Sequence, residues 1–148
     1  MTPAEALDLV ERLLTAAQHP DVSRVYRYDG ATSGVALTYR SDAKAFFSPM
    51  PGKVGVQPAD LPEDLGRWTF RGNYALKMLV DLLEAVRPAA VTGWRTVAID
   101  KIAMKPAGIE LSGPGGTVVL RVTSGGPMGL DSDPADFENW RLPEGITV

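Results

Sequence analysis

The sequence predicts an α+β fold in which two helices pack on an antiparallel sheet. The expected order is helix, three strands, long loop, helix, three strands, short C-terminal tail. Three observations predict it. Apolar residues recur at helical spacing in two separate stretches. Two groups of short alternating or β-branched runs are joined by turns rich in Gly, Asp and Pro. A proline-punctuated stretch with no periodicity lies between the groups.

The first helix opens at Thr2-Pro3-Ala4-Glu5, where Thr2 can cap, Pro3 suits the first helical position and Glu5 completes a capping box. Leu7, Val10, Leu14 and Ala17 form its apolar stripe, with Leu13 widening it. Its end is expected near Gln18, because Pro20 disfavours helix at His19. Strands are then expected at Arg24–Tyr28, at Val35–Arg40 and at Lys44–Phe47, separated by the turn clusters 29–34 and Ser41-Asp42.

Periodicity disappears between Ser48 and Arg71, where Pro49, Pro51, Pro58 and Pro62 interrupt the chain. A loop this long in a compact domain is often a lid or a binding loop. The second helix is expected over Asn73–Arg87. Leu76, Leu79, Val80, Leu83 and Val86 make a stripe broad enough to place it at the centre of the core, and Pro88 stops it. Three more strands follow at Arg95–Ala103, Gly108–Ser112 and Thr117–Thr123, joined by tight turns at 105–108 and 113–116. The repeated order of one helix and three strands is similar to that of one domain of a DNA sliding clamp, an analogy of order alone.

The chain of 148 residues is expected to form one domain, with residues 126–148 as an acidic C-terminal segment. The net charge is −3, and the acidity sits in that tail: residues 127–148 hold five acids and one base. With no cysteine there is no disulfide framework and no thiolate chemistry. The N-terminus lacks the basic cluster of a secretory signal, and no apolar run is long enough to span a bilayer, which points to a cytoplasmic protein. Arg outnumbers Lys, and Ala, Gly and Pro abound, as in a GC-rich bacterial genome.

The glycine-rich stretch from Leu111 to Gly129 is not a phosphate loop. Gly113–Gly116 runs into Thr117-Val118-Val119-Leu120, which is a strand, and no Gly-Lys-Ser/Thr follows. His19, the single histidine, has no partner imidazole or thiol for a triad or a soft-metal site. It is expected to sit at the helix C-terminus, where the dipole favours its charge. Asp131 and Asp133 begin a superficially calcium-like run, but Asp136 stands where an EF-hand needs glycine and Leu142 where it needs glutamate. No metal and no cofactor is implied. Asp100, in the apolar run VAIDKIA, is the carboxylate that stands out, with the solvent face of a strand as its ordinary setting.

Three functional expectations follow. The first is a non-catalytic module for protein–protein contact, acting through the 48–71 loop and the acidic aromatic tail. Trp68, Asp131, Asp133, Phe137 and Trp140 are its candidate contact residues. The second is a site for an anionic small molecule under that loop, enzymatic or not, held by Arg67, Arg71, Asn73 and Tyr74 at the start of the second helix. The third is a nucleic-acid or replication-associated role. Arg24, Arg27, Arg40, Lys44 and Lys53 interleave with Tyr26, Tyr28, Tyr39, Phe46 and Phe47. Alternation puts Arg24, Tyr26 and Tyr28 on one face and Arg27 on the other, so no single face is expected to collect the charge, and nucleic acid is disfavoured. Exposed strands in both meanders could also pair between two copies of the chain.

Overall fold

A computed structural model describes residues 1–63, 71–127, 137 and 139–148. Helix α1 spans Pro3–Ala17 and carries the expected capping box. Thr2 Oγ1 accepts from the Glu5 amide at 3.2 Å, and the Thr2 amide donates to Glu5 Oε2 at 3.0 Å. Gln18 ends it in the left-handed conformation. Strands β1 (Val22–Tyr28), β2 (Gly34–Tyr39) and β3 (Lys44–Pro49) form the first meander. Strand β4 (Val56–Pro58) then precedes helix α2 (Arg71–Val86), and β5 (Gly93–Ile99), β6 (Gly108–Gly113) and β7 (Gly116–Gly125) follow among the described residues.

The strands make one antiparallel sheet of order β1-β2-β3-β7-β6-β5-β4. The overall class is therefore α+β, but the sheet has seven strands and not three plus three. The added strand, β4, lies in the stretch expected to be a loop. It pairs Val56, Gln57 and Pro58 with Ile99, Ala98 and Val97. Three residues are too few to show an alternation, and Pro58 argues against a strand except at an edge, which is where β4 sits. A second correction concerns the connection between β5 and β6. It is not a tight turn at 105–108, because β5 ends at Ile99 and the chain returns to the sheet only at Gly108.

The two meanders join through β3 and β7, with Phe47 opposite Val122 and Pro49 opposite Leu120. Both helices pack on one face of the sheet and against each other. Leu7, Val10 and Leu13 of α1 and Leu76, Leu79, Leu82 and Leu83 of α2 are fully or almost fully buried there, against Val35, Leu37, Phe47, Ile109, Leu111 and Leu120 of the sheet. Each such side chain contributes about 1.5–3 kcal/mol relative to exposure. A smaller cluster covers one end of the opposite face. Val97, Ile99 and Ala107 are buried there beneath Met50, Val56 and Ile102. The β5–β6 connection, through Ile102 and Ala107, thus packs on the far end of that face beside the edge strand β4 and leaves the end made by β1, β2, β3 and β7 open.

Candidate functional site: the open face of the sheet

Strand pairing dictates what the open face displays. In antiparallel pairs, residues directly opposite share a face. Val35, Phe47 and Val122 are opposite one another and belong to the main core. Their neighbours along each strand therefore face outward, in three rows across β1, β2, β3 and β7. The first row is Arg24, Thr38, Lys44 and Gly125. The second is Tyr26, Ala36, Phe46 and Thr123. The third is Tyr28, Gly34, Ser48 and Arg121. Cations stand in the outer rows, aromatic rings lie between and beside them, and no carboxylate occupies any of these positions.

The side chains are organised around the rings. The Arg24 guanidinium lies 4.3 Å from the centre of the Tyr26 ring. Lys44 Nζ approaches the same ring at 5.7 Å and donates to the Tyr26 hydroxyl at 3.3 Å. The negative face of the phenol offsets part of the repulsion between two like charges gathered on it. Tyr28 reaches across Gly34 to hydrogen-bond Ser48, and Phe46 meets it edge to face with centroids 5.8 Å apart. A Cβ on Gly34 would run into the Tyr28 ring, so the absence of a side chain there is what lets Tyr28 lie over β2. Burial, seconded by the neighbouring Tyr26, raises the Tyr28 pKa above its usual value against the opposing Ser48 bond. The phenol is therefore neutral at physiological pH, and these rows carry only positive charge.

These cations lack counterions among the described residues. The ion pairs there are Arg27 with Asp8 at 2.6 Å, Lys77 with Asp81 at 3.0 Å and Arg95 with Glu110 at 2.7 Å. None involves Arg24, Lys44 or Arg121. Arg121 Nε is moreover buried with no hydrogen-bond partner among the described residues. The expectation that no face collects the charge is thus corrected. Arg27 does turn to the helical side, where α1 supplies Asp8, but Arg24, Lys44 and Arg121 converge on the open face. Arg121 was not among the expected residues. Its position between the core residues Leu120 and Val122 marks it as outward-facing, but only the pairing of β7 with β3 places it beside the first meander.

Of the residues expected around the second helix, Asn73 and Tyr74 belong to α2, which packs on the other face of the sheet. Arg67 and Trp68 fall outside the described residues, as does the side chain of Arg71, whose backbone opens α2. Asn73 is buried at 4% exposure, with Oδ1 lacking a partner among the described residues, and Tyr74 is half-buried. Asp131 and Asp133 also fall outside the described residues.

Phe137 and Trp140 meet His19, with ring centroids 5.1 Å and 4.6 Å from the imidazole. Trp140 packs on the main core together with Leu142, Ile146 and Val148. His19 itself departs from its expected role as a charge favoured by the helix dipole. Burial lowers its pKa, and its Nδ1 accepts from the Asp21 amide at 3.1 Å, which requires the unprotonated nitrogen. Asp100 is exposed one residue beyond β5, with its carboxylate against Gly55. Among the described residues, no cluster of His, Asp or Glu could hold a metal ion, and no helix is long and apolar enough to cross a membrane.

Comparison with protein-family models, with curated proteins and with solved structures found no match.

Proposed function

We propose that this protein is a non-catalytic module that binds another protein, and that the open face of the sheet is one of its working surfaces. One observation carries the reading. The open rows combine Arg24, Lys44 and Arg121 with Tyr26, Tyr28 and Phe46, and none of the three cations has a carboxylate partner among the described residues. Tyr and Arg are the side chains that anchor protein interfaces, because each joins a large contact area to directional polar groups. The 48–71 stretch and the acidic segment with Phe137 and Trp140 belong to the proposal as further contact surfaces. A second copy adding to an exposed edge would use β1, since β4 has three residues and ends in Pro58. A cytoplasmic setting accords with the lack of cysteine, and a bacterial one with the excess of Arg over Lys and the abundance of Ala, Gly and Pro.

Site-specific photo-crosslinking in cells tests this. A benzoylphenylalanine at Thr123, within the open rows, is expected to yield a discrete protein adduct, and one at Lys77 on α2 is not. Absence of a protein adduct from position 123, with a small molecule retained by the purified chain, would replace this reading with the small-molecule one.

A further inference from the structure

We infer that the open rows form a docking site for a short, extended, acidic segment of the protein partner, with an acid–x–apolar–x–acid pattern. This rests on the binding-module reading and adds the chemistry of the ligand. Four strands about 4.8 Å apart, and five residues each rising about 3.4 Å, give a surface of roughly 14 Å by 14 Å. That is far below the ~800 Å² per partner of a standard domain interface. It matches one stretch of about five extended residues.

The pattern follows from the rows. Lys44 and Arg24 mark one end and Arg121 the other, four residues apart along neighbouring strands. On an extended peptide, side chains four positions apart on one face are separated by about 13–14 Å. Carboxylates at positions i and i+4 therefore reach both ends. The residue at i+2 falls over the middle row, where the half-buried Phe46 ring presents apolar surface beside Thr123. Arg121, half-buried at the other end, has no carboxylate partner among the described residues, and the second carboxylate supplies its counterion.

The same rings and cations could suggest single-stranded nucleic acid, whose bases stack on exposed aromatic faces. Two observations favour the peptide. The Tyr26 face is already occupied by the Arg24 guanidinium, and Tyr28 and Phe46 use each other edge to face, so stacking platforms are committed. Three cations also neutralise too few phosphates, giving a salt slope of only about −2 for a single strand, on a chain whose net charge is −3.

The test is fluorescence anisotropy on the full chain with a labelled synthetic peptide carrying two glutamates four apart and a leucine midway, in a serine–glycine background. Micromolar-range binding is expected, weakening as salt is raised from about 50 to about 300 mM. The Arg24→Gln/Lys44→Gln double variant is expected to lose roughly tenfold or more in affinity. Thr123→Glu, which sets a carboxylate among the rows without touching the core, is expected to do likewise. The charge-matched control Arg12→Gln/Lys77→Gln, on exposed helical positions, is expected to change affinity less than about twofold. A peptide of the same composition with adjacent glutamates is expected to bind several-fold more weakly. Equal loss in the control, no loss in the open-row variants, or tighter binding of an oligothymidylate than of the peptide would overturn the inference. If no peptide binds while crosslinks at position 123 persist, this inference falls and the binding-module reading stands.

Discussion

The imidazole of His19 lies 4.6 Å from the indole of Trp140, centre to centre, and this contact ties the end of the chain to the end of the first helix. Phe137 meets the same imidazole from 5.1 Å. The contact has a pH signature. His19 has its pKa lowered by burial, so the unfolded chain binds a proton more readily than the folded one. The stability that His19 contributes is full above the unfolded value near 6.5. It is lost as pH falls below that value and through the lower folded one. Urea denaturation between about pH 5 and pH 8 is expected to show this fall, and His19→Gln is expected to flatten it. In Trp140→Ala, an NMR titration is expected to place the His19 pKa closer to its ordinary value, because the ring that helps to desolvate it is gone. An unchanged titration would mean that Trp140 is not the desolvating group.

Thr2→Ala removes one hydrogen bond of the capping box directly and frees Glu5 from its geometry. A loss of about 1 kcal/mol is expected from chemical denaturation, with Thr2→Ser close to unchanged.

Gly108→Ala sets a methyl group against the backbone carbonyl of Leu120 across the β6–β7 pair. Backbone in the middle of a sheet yields less readily than a side-chain tip. A loss of about 1–3 kcal/mol is expected, with increased amide exchange in β7. Gly93→Ala, where a Cβ meets nothing within 4 Å, serves as the mild comparison.

The pair between Arg27 and Asp8 is short at 2.6 Å, but Asp8 is more than half exposed. A double-mutant cycle of Asp8→Ala with Arg27→Ala is expected to give a coupling of under about 1 kcal/mol that shrinks in salt.

Local rules made much of the fold legible. The Thr2-Pro3-Ala4-Glu5 start, the leucine spacing of both helices and the alternation of Val35, Leu37 and Tyr39 each act over a few residues, and each element stands within a few positions of where those rules place it. Two features depend on partners distant in sequence and were not legible. One is β4, which exists because β5 offers it an edge. The other is the pairing of β3 with β7, which sets Arg121 in line with Ser48, Gly34 and Tyr28. Reading β1 by itself, Arg24 and Arg27 cancel as a surface signal. Only the sheet order shows that one of them is answered by Asp8 and the other stands with Lys44.

The seam between β3 and β7 joins positions separated by roughly half the chain, while each neighbouring pairing within the two meanders is local. Each side of the seam owns a helix and a three-stranded meander, and β4 travels with the second through its pairing to β5. A chain cut between β3 and β4 would therefore leave two fragments with complementary open edges and complementary halves of one core. Neither fragment buries its leucines alone. Two such pieces are expected to recover the fold only when mixed, a recovery that circular dichroism would read.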